Sequence, residues 1–496
     1  MTLADEAAGS LEGATRPLQP PSPWKASNKQ LCAIWCLALL ATLFTNLEAV
    51  PGMRTISMAC CCLLAECLDR LWVFLLCLLP MGVLMGLTTW GYLQEAALVI
   101  CVAFQIPLSL AYLAHRRLVT RHPELWSVTL AFPSVHTALW TLSSLVLPVG
   151  SFSSPAYDVA GQWLMLTQCS AWLGRSAVTF VLSWVAASGA HRWASSHGPG
   201  FKAALASLFI VCIAGGIRFY VPTISIDRDF VSPGGAVRDF LHVSCLSSMD
   251  NLYATTAARL AAGDAIVMHS ERLTDAETGL DAPVPRYQHL LEQHFNKTQI
   301  EAVIVLSFED DGKSWYHLVT REGSVMSYAK NHPVPFVESD LSPGTSRPTV
   351  TAPRALGRPD AEQISLTGTI CFDTDFPAVT RFLDADLLLE TSQTWSNIGR
   401  QHLRGHQYAA LENGQTLVKC TKNGYTGAID PYGSIIEQVP QGSGVVSMMV
   451  PRFPKLVTFP LLYLIFDSIV GLAACLWLLL ACSPQLSCRW LGRCHF

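Results

Sequence analysis

The chain has 496 residues, of which 51% are hydrophobic and only 14% charged, a profile displaced from that of an average soluble domain toward a membrane protein. Its formal net charge of −4 supplies no excess of basic side chains for a phosphate backbone, which sets nucleic-acid binding aside.

Stretches approaching the roughly 20 apolar residues that cross a bilayer cluster at the two ends. A polar, Pro-rich tail (1–30) leads into "LCAIWCLALLATLFTNL" from Leu31. No small-residue cleavage site follows it closely, so it reads as an uncleaved span and not a signal peptide. "TISMACCCLLAECLD" before Arg70 is a weaker span, because Glu66 and Asp69 are costly in lipid. Further spans begin at Leu71, Glu95, Leu125, Leu166 and Lys202, giving six or seven in residues 31–220, and one more occupies 456–482 ahead of a basic tail, 483–496. Lys and Arg favour cytoplasmic loops. "HRRLVTRH" (His115 to His122) and "HRWASSHGPGFK" are therefore placed inside, which puts the block between about Arg218 and Leu456 on the lumenal or extracytoplasmic side.

That block, 221–455, is long enough for one complete domain. "DFLHVSCL", "DAIVMHSE", "IEAVIVLSF", "SWYHLVT", "ISLTGTICF", "DLLLET" and "QTLVKCT" read as strands. "MDNLYATTAARLAAG", "RYQHLLEQHFNKT", "TDFPAVTRFLDA" and "IGRQHLRGHQYAALENG" read as helices between them. Alternation of this kind predicts a layered α/β domain inserted into a multi-span α-helical membrane protein. "VESDLSPGTSRPTVTAPRALGRPD" is a loop or lid.

Of 17 cysteines, three fall in the domain. Cys245 and Cys420 stand inside strand-like runs and read as buried apolar thiols, and an odd count gives no disulfide framework. Those at Cys482, Cys488 and Cys494 are positioned for palmitoylation. Cys371 differs, because it falls where an apolar strand gives way to "FDTDFP", the strand end at which α/β folds display their chemistry. A thiol attacks a carbonyl as thiolate, so it needs a base for its proton and a cation or donors for the oxyanion. Glu271, ending "GDAIVMHSE", and Lys330, ending "GSVMSYAK", offer these.

In the order Glu, Lys, Cys, each at a strand end, the set resembles the carbon–nitrogen hydrolase (nitrilase) superfamily, and more narrowly the apolipoprotein N-acyltransferases, bacterial membrane enzymes that N-acylate lipoproteins. "YAKNHPVPFVE" and "ICFD" are similar to that family's motifs, and "TWSNIGRQHLRGHQYAALENGQTLVKCTKNGYTGAIDPYG" follows its next block. The resemblance implies an α-β-β-α sandwich in which Glu271 is the general base, Lys330 stabilises the oxyanion, Cys371 carries the acyl group and Glu338 is a supporting carboxylate. It further implies a phospholipid acyl donor and an amine-bearing acceptor, lipoprotein-like or lipid-linked. Ser270, Phe372, Asp373 and the loop Ser339 to Asp360 depart from the family pattern and put acceptor specificity in doubt. A membrane-tethered amidase is the alternative, separated by whether water or an amine takes the acyl group. No cofactor is implied. Nor is a metal, since neither His332 nor His402 has a ligand partner at usable spacing; His332 reads as a brace for the Lys330 turn, His402 as a structural residue of a helix, and Trp395 and Tyr408 as core aromatics, with the lining of an acyl groove as the alternative. The Cys-rich spans and the tripeptide "NKT" fit a eukaryotic host.

Overall fold

The computed structural model describes residues 26–483 apart from 47–50, 69, 94, 123–124, 147–149, 152–153, 196–198, 231–239, 248–250, 274–282, 354–355, 358–362, 396–397, 441–443 and 454. The polar tail before residue 26 and the palmitoylation positions Cys488 and Cys494 lie outside the described residues.

Seven longer helices come first: α1 (Asn28–Asn46), α2 (Met53–Cys67), α3 (Leu71–Leu93), α4 (Glu95–Arg121), α5 (Ala131–Val146), α6 (Arg175–Ser195) and α7 (Pro199–Phe230). Apolar side chains, among them Cys61, Leu64, Phe74, Leu118, Phe132 and Val178, pack them into one cluster. Glu66, read as the weak point of the second span, is buried against His115 Nε2 at 2.8 Å and His191 Nδ1 at 3.5 Å. Pairing is what lets an acid sit there. The basic stretch expected as a loop from His115 is instead the last part of α4, which runs to Arg121.

Among the described residues two helical segments are long and apolar enough to cross a membrane, Pro199–Tyr220 and Pro460–Cys482; Asn28–Phe44 and Leu71–Met85 are apolar but shorter. The stretch from Leu166, expected as one span, is broken into turns at Leu164–Thr167 and Ser170–Leu173 before α6 begins at Arg175. The break has a local cause. Gly174 adopts φ 74°, and Arg175 is a buried cation paired with Glu412, outside the bundle.

Eleven strands then form two sheets: β1 (Phe240–Leu246), β2 (Ile266–His269), β3 (Val303–Asp310), β4 (Lys313–Thr320), β5 (Gly323–Ala329), β6 (Leu366–Ile370), β7 (Leu387–Gln393), β8 (Thr416–Lys422), β9 (Tyr425–Ile429), β10 (Ile435–Pro440) and β11 (Val445–Pro451). Their orders are β11-β1-β2-β3-β4-β5 and β10-β9-β8-β7-β6. In each sheet three neighbouring strands are parallel, β1-β2-β3 and β6-β7-β8, and the outer pairs are antiparallel. The sheets face each other across a core that includes Val243, Met268, Val305, Leu318, Ile370, Leu389 and Val418. Close approach is needed where β6 crosses β4: a Cβ on Gly368 would lie 2.1 Å from the Tyr316 ring.

Helices α8 (Leu252–Ala261) and α9 (Pro283–Thr298) cover the outer face of the first sheet through Leu252, Leu260, Tyr287 and Leu291. The run expected as one helix from Ile398 is two, α10 (Gly399–Gly405) and α11 (Gln407–Asn413), covering the second sheet through Leu403, Ala409 and Ala410. The order of layers is helix, sheet, sheet, helix, as expected. "TDFPAVTRFLDA" forms only a turn of helix at Pro377–Thr380. Strands β10 and β11 were not anticipated from sequence; β10 alternates half-buried and exposed residues throughout. Helix α12 (Pro460–Cys482) then returns to the bundle and packs on α5.

Cys245 on β1 and Cys420 on β8 are joined by a disulfide, which corrects their reading as free thiols. They belong to different sheets and lie 175 residues apart, so strand pattern alone gives no hint that the sheets bring them into register. Closing a loop of that length removes unfolded-state entropy worth on the order of 4–5 kcal/mol. Cys245→Ser should therefore lower the denaturant midpoint of the full chain in detergent by that equivalent, and reductant should add nothing further to the variant.

Candidate active site

Parallel strands in a layered sheet point their carboxyl ends the same way, so residues just past those ends share one rim. Cys371 follows β6 directly and opens the turn Cys371–Asp375, and Glu271 lies just past β2. Lys330 follows β5, its amide donating to Ser314 O at 2.9 Å and its carbonyl accepting from Gly344 at 2.7 Å. Glu338 ends the short segment after Val334 whose amides turn back on themselves.

The four side chains converge. Lys330 Nζ donates to Glu271 Oε1 at 2.6 Å and to Glu338 Oε1 at 2.8 Å. Glu271 Oε2 accepts from the Gln393 amide at 3.0 Å, and Cys371 Sγ lies 3.5 Å from the carbonyl of that same residue. Glu338 Oε2 is fixed by the Val334 amide at 2.6 Å. Glu271 and Lys330 are each 1% exposed, Cys371 2% and Glu338 9%. Cys371 holds φ 47°, in the left-handed region, where a non-glycine residue is strained. Such strain, imposed by the surrounding fold, sets the thiol at a fixed point on the rim.

Burial sets the electrostatics. It raises the Glu271 carboxyl pKa, against the pull of the Lys330 ammonium, and the charge on Glu338 raises it further. For Lys330 burial alone would lower the pKa, but Glu271, Cys371 and Glu338 outweigh it and the ammonium form is held. Burial also raises the Cys371 thiol, assisted by Glu271 and opposed by Lys330 and Lys419. The resting arrangement is a thiol beside a carboxylate of raised basicity and a locked cation.

Asp373, noted in sequence only as a departure, joins the two key turns. It accepts from the amides of Asn331 at 2.9 Å and His332 at 2.7 Å, from His332 Nδ1 at 2.8 Å, and from the Tyr328 hydroxyl. His332 stacks on Phe376 with ring centroids 3.6 Å apart. His332 thus braces the Lys330 turn against the Cys371 turn. Trp395 packs against the inter-sheet core, half-buried. Tyr408 belongs to the bundle-side cluster, its hydroxyl donating to Ala156 O at 2.7 Å.

The turn is also held from the bundle. Ser151 donates to the Asp375 carbonyl through its amide at 2.8 Å and its hydroxyl at 2.6 Å, and Tyr157 donates to Asp375 Oδ1 at 2.9 Å. Behind them Arg175 makes a two-pronged pair with Glu412, Nε to Oε1 and Nη2 to Oε2, both at 3.0 Å. The expectation that His402 lacks a ligand partner does not hold. His406 lies one helical turn on, and Asp375, His402 and His406 bring ligand atoms within 4.8 Å of one another. The HxxxH spacing was the available signal; the aspartate, reached only through the fold, was not.

No protein-family model matches the chain. It is 35% identical over 166 residues to an apolipoprotein N-acyltransferase of Pseudomonas aeruginosa, covering 29% of this chain and 32% of that one. A namesake from Pseudomonas paraeruginosa is 42% identical over 78 residues (14% of this chain, 15% of the relative), and one from Photobacterium profundum 28% over 190 (33% and 37%). The matched region spans between 15% and 37% of these relatives' length. Among solved structures, a CN-hydrolase superfamily protein from Xanthomonas campestris aligns at 14% identity and TM-score 0.34, covering 43% of this chain and 91% of that one. An amidase from Nesterenkonia sp. aligns at 17% identity and TM-score 0.34, covering 45% and 94%. The chain is a homologue of proteins named apolipoprotein N-acyltransferase.

Proposed function

We propose that the protein is a membrane N-acyltransferase that moves a fatty acyl chain from a phospholipid, through a thioester on Cys371, to an amine. The observation that carries this reading is the convergence of Glu271, Lys330 and Glu338 in one buried cluster at the rim where Cys371 stands in a strained turn.

Glu271 takes the Cys371 proton, and the thiolate attacks the ester carbonyl carbon. The oxyanion of the tetrahedral adduct lies against the Lys330 ammonium, which Glu338 holds in place. The ester C–O bond breaks, Glu271 returns its proton to the leaving alkoxide, and lysophospholipid departs. An amine nitrogen then attacks the thioester, gives its proton to Glu271, and the C–S bond breaks with that proton passing to sulfur.

The membrane setting rests on surface chemistry. Apolar side chains stand exposed along α7 (Phe209 66%, Ile210 64%, Ile217 60%) and α12 (Leu461 68%, Leu472 72%), and others on α1, α3 and α5, forming the belt that lipid would cover. On this reading, spans in 31–220 and 456–482 flank a domain of 221–455 that faces away from the cytoplasm; the basic residues at the end of α4 and around Arg192 to Lys202 support that side. The Cys245–Cys420 disulfide supports the same side, since such bonds persist in oxidising compartments. Phe336, 71% exposed and at φ 67° two residues before Glu338, presents an apolar ring beside the site.

Incubation of the purified protein with acyl-labelled phospholipid tests the reading: label should be found on the Cys371 peptide, as a hydroxylamine-sensitive thioester. Label on another residue, or none, would sink it. The pH profile offers a second check. Glu271 must be ionised to accept the proton, and its raised pKa places the acid limb of acylation above the ordinary glutamate value of about 4.3. Because the Glu338 charge contributes to that rise, Glu338→Gln should move the limb to lower pH; an upward move contradicts the assignment.

A further inference from the structure

A second polar cluster lies behind the Cys371 turn, toward the bundle. Asp375 Oδ2 stands 3.2 Å from His402 Nε2 and 3.7 Å from His406 Nε2, and all three ligand atoms fall within 4.8 Å of one another. Asp375 is 0% exposed, His402 3% and His406 1%. A tetrahedral zinc ion with bonds of about 2.0–2.1 Å separates its ligand atoms by about 3.3 Å. The two spacings from Asp375, 3.2 and 3.7 Å, are near that size.

The surroundings orient the donors. His406 Nδ1 lies 2.6 Å from Glu390 Oε2; with the ring proton on Nδ1, toward that carboxylate, the Nε2 lone pair faces Asp375. Neither His406 Nε2 nor Asp375 Oδ2 takes part in a hydrogen bond, although both are buried. With that tautomer, lone-pair donors face each other in a dry interior, an arrangement that a cation between them satisfies. Carboxylate behind imidazole is how metal-bound histidines are commonly set. Lys419 lies beside both rings, 3.2 Å from His402 Nδ1 and 3.4 Å from His406 Nδ1, but its charge is already paired with Glu390. Asp375 thus supplies the anionic ligand, and Tyr157 fixes its other oxygen at 2.9 Å.

We propose that Asp375, His402 and His406 form a zinc-type divalent cation site that ties the end of the Cys371 turn to helices α10 and α11. The ligands come from two segments: the turn, and the junction of two short helices whose Gly405 lies so close to Tyr157 that a Cβ would meet the ring at 2.4 Å. A metal there joins nucleophile turn, helix pair and bundle at one point. Its role is positional, since it lies behind the turn and the transfer scheme does not use it.

The test uses the full chain purified in detergent without chelator, incubated with Zn2+ alone, desalted and assayed for metal by mass spectrometry. About one ion per chain is expected. Asp375→Asn and His406→Ala should each weaken retention about ten-fold or more, whereas His242→Ala, at an exposed histidine of β1, should leave it unchanged. Zn2+ should also raise the melting midpoint of the unmodified chain, and Co2+ should give the visible bands of a tetrahedral site; neither readout depends on a variant folding. If the unmodified chain retains no ion and shows no midpoint shift, a shared proton holds the cluster and the proposal fails. Equal retention in all variants places the metal elsewhere and also overturns it.

Discussion

Cys371→Ala should fold with an unchanged melting profile yet form no acyl-enzyme, and its transfer rate should fall by at least about 10⁴-fold. The side chain is small, and its Sγ meets the Gln393 carbonyl at 3.5 Å and the Glu271 carboxyl, so alanine removes a single buried sulfur from the core. It removes the sulfur that the proposed scheme acylates. Alanine at φ 47° inherits the strain already present and adds none. Glu271→Gln should match the loss closely, because nucleophile and base act as one unit and their effects do not add. Transfer measured with labelled phospholipid and a peptide amine, alongside the melting midpoint, separates chemistry from folding. Retained transfer in Cys371→Ala would remove the nucleophile from this scheme.

Lys330→Met should do what Cys371→Ala does not, damaging stability as well as activity. Lys330 is 1% exposed and holds two buried carboxylates at 2.6 and 2.8 Å. Removing the cation leaves both unpaired in a low-dielectric interior, at a cost on the order of 3–5 kcal/mol, unless they take up protons. A protonated Glu271 is no longer a base, and the oxyanion loses its cation, so activity should drop at least about 10³-fold. The double variant Lys330→Met/Glu338→Gln discriminates. It removes one orphaned charge and should recover part of the stability while recovering none of the transfer. If stability and activity return together, Lys330 has a structural role only. Denaturant midpoints and transfer rates on the same preparations decide it.

The strand ends were the legible part of the site. β-branched and apolar runs stop at Glu271, Lys330 and Cys371, and the fold carries those ends to one rim because β2 and β6 are parallel to their neighbours. What sequence did not give depends on contacts between distant elements. Cys245 and Cys420 each look like core filler on their own strand, and only the stacking of two sheets pairs them. Asp375 reads as one of two acids in "CFDTD", yet its partners are Ser151, Tyr157 and two histidines from segments far along the chain. The apolar stretch from Leu166 hid its break at Gly174, since hydropathy does not register that Arg175 is satisfied by Glu412 of the other domain. In the same way Glu66 looked expensive because His115 and His191 lie on other helices.

Transfer and hydrolysis share every step up to the thioester, so the central claim turns on what discharges it. The direct measurement is lysophospholipid release from phospholipid by the purified full chain, first without an amine and then with a diacylated peptide bearing a free N-terminal amine. A transferase should release a burst of lysophospholipid matching the enzyme concentration and stop, then resume on addition of the peptide with amide formed in equal amount. Continuous release before any amine is added would mean that water reaches the thioester on Cys371, and a membrane-tethered hydrolase would replace the acyltransferase.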